Sequence, residues 1–319
     1  MARFHRTVDT KDIAVLRFLD GMRGRFEWVP RERVLRKLPW STMKVTRSLG
    51  DLDRMALVQA RNRDEPVLRI TGRGLDTLAL WELKNHGAID TVGDLVGKGK
   101  EAIVLNATAP DGSWVAVKLH RYYQLEFEDI RSSLAYAAIE WRRQQLDLRH
   151  CEIDVPRAKA QVEMTALERC WDAGVSVPRP RGLNRHVVAA EMVTAGEGLP
   201  APPLHRVSLT DPKSTRQVIL DDYREAVTRT GIVHGDLSEF NILVHEEGYP
   251  VYIDWPQAVP VEYMQASLLL DRDIDIITAY FHREYGLDPE DALVRRARAE
   301  LEAFIAERQE SQGQATGRV

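Results

Sequence analysis

The sequence predicts an α+β protein in which an N-terminal winged helix is followed by a compact bilobal domain. Apolar residues recur at helical spacing through much of residues 10–85, strand-like runs crowd residues 94–119, and helical periodicity returns after residue 214. With 319 residues, the chain is long enough for two cores. The expected boundaries are 1–88 for the winged helix, 89–193 and 194–308 for the two lobes of the second domain, and 309–319 for a disordered tail.

Composition and charge describe a soluble protein with uneven charge. No apolar run approaches the roughly 20 residues of a membrane span, and the N-terminus lacks the apolar core of a signal peptide, so we expect a cytoplasmic protein. Cys151 and Cys170 give neither a zinc site nor a disulfide framework. Residues 1–85 hold 18 Lys and Arg against 11 Asp and Glu, and the remainder holds 26 against 37. This asymmetry favours a nucleic-acid contact in the first domain.

The first domain is predicted to contain four helices and one hairpin. Thr10 is expected to cap the first helix, Pro30 to start the second and Ser41 to open the third. Two short strands are predicted around residues 62–66, and a fourth helix at 71–83. Three helices followed by a hairpin describe a winged helix, whose third helix can enter a major groove.

Basic side chains on the third helix and on the hairpin are the candidates for nucleic-acid contact. They are Lys44, Arg47, Arg61 and Arg63. A winged helix that contacts only protein is the alternative, because a basic face is often merely solvated. The pattern identifies no base contact.

The second domain begins near residues 85–91, where the helical pattern breaks. Residues 94–105, DLVGKGKEAIVL, predict two strands around a glycine turn in which backbone N–H groups can approach phosphates closely. Such a turn is common, so it indicates a nucleotide site only in combination with the strand that follows. The expected nucleotide contacts of this loop are Gly97, Lys98, Gly99, Lys100 and Glu101.

The next predicted strand places a lysine among apolar neighbours. WVAVKL resembles the VAIK strand of protein kinases, and the resemblance implies that Lys118 would hold the first two phosphates of a nucleotide. A lysine in these surroundings needs a partner, and Glu163 on a predicted helix at 157–173 is the candidate. The alternative is that Glu163 is an ordinary exposed glutamate.

A strand pair and a hinge are predicted to connect the two lobes. Residues 175–179 lead the pair, residues 187–192 form its second member, and the Gly- and Pro-rich segment 194–203 is the hinge. Backbone groups of Glu191 and Val193 are expected to contact an adenine, which requires no particular side chain.

Two polar motifs follow in the second lobe. VHGDLSEFNILV places Asp236 five residues before Asn241, and VYIDWPQ puts Asp254 at the end of a strand-like run. Phosphoryl transfer needs a carboxylate that orients the attacking group and oxygen ligands that hold a divalent metal. Asp236 is therefore the expected catalytic residue, and Asn241 and Asp254 are the expected metal ligands.

The remaining elements of the second lobe are helices. Ser214 is expected to cap a helix that ends at Gly231. Two more helices are predicted at 264–285 and 289–308, and the last residues are expected to be disordered.

These motifs together resemble the RIO-type atypical protein kinases, specifically the second subfamily, which carries an N-terminal winged helix. The resemblance covers nearly the whole chain and rests on GKGKEA, VAVKLHR, HGDLSEFNIL, IDWPQ and the DRD of residues 271–273. It implies a protein-kinase-like fold, ATP with Mg²⁺ or Mn²⁺, serine autophosphorylation, and action on the pre-ribosomal small subunit and its rRNA. Phosphoryl transfer to the metal-binding aspartate is also attributed to the family, so Asp254 is a second expected catalytic residue. The short C-terminus favours an archaeal member.

Departures from the family pattern affect the acceptor more than the ATP site. Asp254 is followed by Trp-Pro instead of Phe-Gly, which argues against the flip of conventional kinases, and no APE-type segment follows. Ala102 replaces a serine that is common in the subfamily. The segment after Lys118 differs from the usual loop and leaves Ser132 and Ser133 as the obvious acceptors.

Two further functions compete with a RIO kinase. A small-molecule phosphotransferase of the aminoglycoside-kinase kind shares HGDLxxxN but has no use for a basic winged helix. A nucleic-acid-binding scaffold with a degenerate kinase domain would not need to retain the four polar residues at Lys118, Asp236, Asn241 and Asp254.

Overall fold

The computed structural model divides into two compact units between Gly87 and Ala88, one residue before the predicted boundary. It describes residues 7–62, 64–99, 101–121, 151–196 and 198–316, with side chains except at 151–154 and 313–316. The candidate residues Arg63 and Lys100 and the expected acceptors Ser132 and Ser133 lie outside these ranges. Of the helices in the described ranges, none combines the length and the apolar character that a bilayer span requires.

The first unit has the element order expected of a winged helix, with one additional short strand. Its helices are α1 (Thr10–Met22), α2 (Arg31–Lys37), α3 (Thr42–Arg54) and α4 (Gly72–Asn85), and its strands are β1 (Val29–Pro30), β2 (Val58–Arg61) and β3 (Val67–Ile70). The strands form one sheet in the order β1-β3-β2, and β2 pairs antiparallel with β3 around the predicted turn. Leu16 and Leu19 of α1, Leu52 of α3 and Leu78 of α4 are buried in its core.

A five-stranded antiparallel sheet forms the first lobe of the second unit. Its strands are β4 (Thr91–Lys98), β5 (Ala102–Thr108), β6 (Trp114–His120), β7 (Pro180–Asn184) and β8 (Val187–Glu191), in the order β4-β5-β6-β8-β7. Helix α5 (Cys151–Asp172) contacts β6, β7 and β8. The register places Lys118 in the middle of the sheet, opposite Val104 of β5 and Val188 of β8.

The second lobe combines three α-helices and a short 3-10 helix (Leu204–Arg206) with two short strand pairs. The helices are α6 (Pro212–Thr230), α7 (Ala266–Tyr285) and α8 (Ala292–Thr316), and the strands are β9 (Ile232–Val233), β10 (Ile242–Val244), β11 (Pro250–Tyr252) and β12 (Val259–Pro260). Strand β9 pairs with β12 and β10 pairs with β11, both antiparallel. Gly231 ends α6 in the left-handed conformation with φ 66°, as its position after the helix predicts. Tyr223, Trp255 and Phe281 are among the large side chains that fill the core.

Two predicted helix caps were wrong, because an aspartate shortly before each of them forms the cap. The carboxylate of Asp9 accepts the N–H groups of Lys11 and Asp12, so Asp9 and not Thr10 caps α1. The carboxylate of Asp211 likewise accepts the N–H of Ser214, which lies inside α6.

A predicted strand was also wrong, and so was the predicted end of the last helix. Residues 175–179 form no strand, because Ser176 bonds to β11 instead: its carbonyl accepts the Tyr252 N–H and its hydroxyl donates to the Pro250 carbonyl. Helix α8 continues to Thr316 instead of ending at residue 308. Gln309 contributes to its anchoring, since its side-chain amide donates to the carbonyls of Val261 and Tyr263 at 3.0 and 2.8 Å.

Candidate active site

The loop that carries Asp236 is held in place by the buried carboxylate of Asp273 on α7. The backbone N–H groups of Gly235 and Leu237 donate to the two oxygens of Asp273 at 2.8 and 2.9 Å. The Tyr223 hydroxyl donates to the same carboxylate at 2.5 Å. Burial raises the pKa of Asp273, and these hydrogen bonds act in the opposite direction. Because the two N–H groups flank Asp236, Asp273 fixes the backbone from which that side chain projects.

Gly235 is required by the same geometry. Its φ of 78° is in the left-handed region, and a Cβ there would lie 2.6 Å from the Gln257 carbonyl oxygen. Any other residue would therefore combine backbone strain with a steric clash. The glycine of the HGD motif is explained by this close approach.

His234 is a structural member of the loop. It is fully buried, and burial lowers its pKa, so the ring is neutral at neutral pH. Nε2 lies 3.0 Å from the Ile253 carbonyl, which can only accept, so Nε2 carries the proton. Nδ1 then accepts the Asp236 N–H at 3.3 Å. The centroid of the His234 ring lies 4.4 Å from that of the Trp255 ring.

The carboxylate of Asp236 has a donor on each oxygen. Gln257 Nε2 donates to Oδ2 at 3.0 Å, and Arg272 Nη2 donates to Oδ1 at 3.1 Å. Burial, with the charge of Asp254 as the second cause, raises the pKa of Asp236 to about 6, and Arg272 opposes this rise. Asn241 donates its side-chain N–H to the Asp236 carbonyl at 2.8 Å, which leaves its own amide oxygen as a potential ligand.

Lys118 connects three elements of the second unit through an ionic network. Its Nζ donates to Glu163 Oε1 at 2.7 Å and to Asp254 Oδ1 at 2.6 Å. Burial opposes the charge of Lys118, but the two carboxylates outweigh it and raise its pKa. Burial likewise opposes the charge of Glu163, yet Lys118 and His120 hold the pKa of that carboxyl at about 2. The structure thus brings together Lys118 and Glu163, which the sequence analysis expects to pair.

His120 is a member of the network that the sequence analysis missed. Its Nε2 lies 2.6 Å from Glu163 Oε2, and its side chain is fully buried. Burial lowers the pKa of His120, so its ring is the neutral N–H donor to the glutamate. The available signal was its position two residues after Lys118, which places both side chains on one face of β6.

Asp254 has an unusual backbone conformation for a residue other than glycine. Its φ of 67° lies in the left-handed region, at a cost on the order of 1 kcal/mol or more. The flanking contacts impose it: Ile253 N–H donates to the Asn241 carbonyl, and the buried Trp255 donates to the Tyr252 carbonyl. The carboxylate is thereby directed to Lys118.

The glycine loop lies at the end of β4 and in the turn to β5. Gly97 and Lys98 belong to β4, and Gly99 donates to the Ala102 carbonyl. A Cβ at Gly97 would meet nothing within 4 Å, so space is left beside this backbone. The carboxylate of Glu101 is bound by the buried Lys159 of α5 at 2.6 Å.

The hinge backbone is partly engaged within the protein. The Glu191 N–H donates to the Arg179 carbonyl, and the Val193 carbonyl accepts the Ala201 N–H. An adenine contact at these residues would therefore depend on the Glu191 carbonyl and the Val193 N–H.

The nucleic-acid candidates lie in the first unit. Lys44 and Arg47 are exposed on α3. Arg61 on β2 is also exposed, and its guanidinium carbon lies 4.1 Å from the centre of the Trp28 ring, in a cation–π contact.

Within the described residues, no group of three or more His, Cys, Asp or Glu side chains could hold a metal. Asn241 and Asp254 stay the predicted metal ligands, and each offers an oxygen atom. Such a pair suits Mg²⁺, which commonly takes one or two protein ligands and completes its shell with phosphates and water.

The fold and site define a protein-kinase-like phosphotransferase. The family model for the RIO domain matches residues 103–292, so the chain belongs to the RIO family of atypical serine/threonine protein kinases. It is 31% identical over 272 residues to the RIO-type serine/threonine-protein kinase Rio2 of Methanocaldococcus jannaschii, which covers 83% of this chain and 93% of that protein. It is 26% identical to RIO2 of Saccharomyces cerevisiae, over 89% of this chain and 66% of the yeast protein.

The architecture also matches a solved structure. The crystal structure of the Chaetomium thermophilum Rio2 kinase, in a complex with ADP/Mg²⁺ and phosphoaspartate, superposes with a TM-score of 0.73. The match covers 95% of this chain and 97% of the fungal chain at 22% identity. The predicted kinase-like fold and the resemblance to RIO kinases are confirmed.

Asp273→Asn is expected to lower the free energy of unfolding of the second unit by about 2 kcal/mol. Each oxygen of Asp273 accepts one backbone N–H, from Gly235 or from Leu237. Asparagine has only one side-chain oxygen, so its NH₂ group would face one of these N–H groups and leave that buried donor unpaired. Urea titration would measure the change. Asp275→Asn is the matched control, since Asp275 is on the same helix, is 64% exposed and pairs with Arg298. It should change stability by less than about 0.5 kcal/mol; equal effects would refute the role given to Asp273.

Asp236→Asn is expected to stabilise the protein in the absence of nucleotide and metal. The raised pKa of Asp236 means that the folded state binds its proton more tightly than the unfolded state. Stability is therefore lost as the pH rises through the interval from 3.8 to about 6, and the asparagine variant avoids that loss. Thermal unfolding in EDTA should show the variant more stable at pH 7.5 by about 1 kcal/mol, after allowance for partial exposure. The gain should shrink at pH 4, and a variant less stable than wild type at pH 7.5 would contradict the argument.

Proposed function

We propose that this protein is an ATP- and Mg²⁺-dependent serine/threonine kinase or ATPase that acts in maturation of the small ribosomal subunit. The observation that carries the catalytic part is the position of Lys118, which pairs at once with Glu163 and with Asp254. A lysine held by a helix glutamate and next to a metal-binding aspartate is the arrangement that active protein kinases require.

The nucleotide would lie between the glycine loop and the hinge. Lys118 would hold its first two phosphates, and the backbone beside Gly97 and Gly99 would approach the phosphates without obstruction from a side chain. The Glu191 carbonyl and the Val193 N–H would face the adenine. The fungal Rio2 kinase crystallised with ADP/Mg²⁺ supports this ligand class.

The metal would be held by the amide oxygen of Asn241 and the carboxylate of Asp254. Both are hard oxygen ligands, and Asp254 is 39% exposed. When bound, Mg²⁺ would neutralise charge on the phosphates. Lys118 would then exchange its contact with Asp254 for the phosphates while it keeps Glu163.

Asp236 would act on the attacking group. An acceptor hydroxyl attacks the γ-phosphorus, the bond from phosphorus to the ADP oxygen breaks, and the hydroxyl proton passes to Asp236. The same arrangement with water as the acceptor gives ATPase turnover. In an alternative route, the phosphoryl group would be transferred to Asp254 itself. The phosphoaspartate in the fungal complex supports this route.

The ribosomal part of the proposal rests on the first unit. The winged-helix order of elements and the exposed Lys44 and Arg47 on α3 favour contact with the phosphate backbone of rRNA. We propose the cytoplasm as the compartment and the pre-ribosomal small subunit as the partner.

Asp254→Asn is expected to reduce Mg²⁺-dependent ATP turnover by at least about a hundredfold, because a metal ligand and its charge are lost. Asparagine is chosen because it tolerates the left-handed backbone that Asp254 adopts. Phosphate release in single turnover would measure it, and rRNA binding by the same variant should stay at the wild-type level. Unchanged hydrolysis would overturn the metal assignment.

The double variant Lys44→Ala/Arg47→Ala is expected to bind rRNA more weakly. If both side chains contact phosphates, the slope of log affinity against log salt should fall in magnitude by about 1.4 to 1.8. Arg36→Ala/Lys37→Ala is the matched control, since both residues are exposed on the neighbouring α2. An unchanged slope in the α3 variant would show that its basic face is only solvated.

A further inference from the structure

We infer that Arg272 is a positioning residue for phosphoryl transfer: together with Gln257 it holds the catalytic carboxylate of Asp236 in its working orientation. This inference rests on the proposed function. It gives a role to the arginine of the DRD motif, which the catalytic and metal assignments leave without one.

The contacts hold Asp236 at both oxygens without using up its capacity as an acceptor. Arg272 binds Oδ1 at 3.1 Å and Gln257 binds Oδ2 at 3.0 Å. An ionised carboxylate offers about four lone-pair sites, so about two remain to accept the proton of an incoming hydroxyl. Two donors on opposite oxygens restrict rotation of the carboxylate, and such positioning is where much of the rate of phosphoryl transfer originates.

The charge of Arg272 matters because Asp236 lies among other carboxylates. Asp254, Asp273 and Glu101 are all near enough to act on its charge, and Arg272 is the cation that acts in the opposite direction. Between Asp236 and Asn241 the loop reads Leu-Ser-Glu-Phe, so it supplies no basic side chain itself. Lys118 is bound to Glu163 and Asp254. Arg272 therefore offsets negative charge at the point where a phosphate must arrive.

The fold directs Arg272 to this contact in two ways. Its neighbour Asp273 is buried and bonded to the loop on both sides of Asp236, so the backbone of Arg272 has a fixed distance to the carboxylate. Competing acceptors on α7 are occupied, since Arg298 binds Asp271 at 2.7 Å and Asp275 at 2.6 Å. Arg272 is 47% exposed, so removing its side chain leaves no cavity in the core.

Kinetics of the full-length protein with Mg-ATP test the inference. Arg272→Gln should lower kcat 10- to 100-fold, while KM for ATP stays within about threefold, because the carboxylate it orients acts on the acceptor and not on nucleotide binding. Arg272→Lys keeps the charge and should recover part of kcat. Both variants should remain folded at the assay temperature, which thermal unfolding would verify.

Arg283→Gln is the matched control. Arg283 is also on α7, is 59% exposed and binds Glu239 of the same loop at 2.9 Å, without contacting Asp236. It should keep kcat within twofold of wild type. An equal loss in the Arg283 variant, or kcat of the Arg272→Gln variant within twofold of wild type, would overturn the inference.

A stability cycle separates this inference from the proposed function. If the wild type shows no Mg²⁺-dependent turnover, the proposed function fails, but the contact can still be tested in Arg272→Gln, Asp236→Asn and the double variant. The inference requires that the changes in unfolding midpoint are not additive, because the two side chains share one interaction. Additive changes in the unfolding midpoint would overturn the inference.

Discussion

The two hydrogen bonds that Asp273 accepts from Gly235 and Leu237 are the constraint on which the rest of the site depends. They fix the backbone on both sides of Asp236 from a helix that belongs to the core. The same helix carries Arg272, so one element sets both the loop and a donor to its carboxylate. Burying a carboxylate is costly, and that cost is offset only because each oxygen finds donors at close range.

The second constraint is the ionic network of Lys118, which crosses from the sheet to α5 and to Asp254. The two carboxylates that Lys118 binds differ in burial and in backbone conformation. Glu163 is buried and held also by His120, whereas Asp254 is partly exposed and sits in a strained left-handed conformation. If Mg²⁺ binds Asp254 as proposed, we expect the Glu163 contact to persist during turnover and the Asp254 contact to exchange, because the metal would compete for the Asp254 carboxylate alone.

The sequence revealed the residues that a recognisable motif marks and missed the contacts that no motif or periodicity records. Lys118 and Glu163 are 45 residues apart, but they could be matched because an apolar strand makes a lone lysine conspicuous and the following helix offers an acid. Asp273 could not be placed against the loop, because no motif role or periodicity records its contact with Leu237, 36 residues away. Arg272 was missed for the same reason. The strand expected at residues 175–179 was lost to tertiary bonds with β11, which local propensity does not contain.

The central claim is that Asp273 fixes the backbone of the loop that carries Asp236. Amide hydrogen exchange at Gly235 and Leu237, measured by NMR in the protein without nucleotide or metal, tests it most directly. We expect protection comparable to that of the buried Val233 and Ile242 in the flanking strands. Exchange of both amides at the rate of an exposed loop, with protection only after Mg-ADP is added, would contradict it.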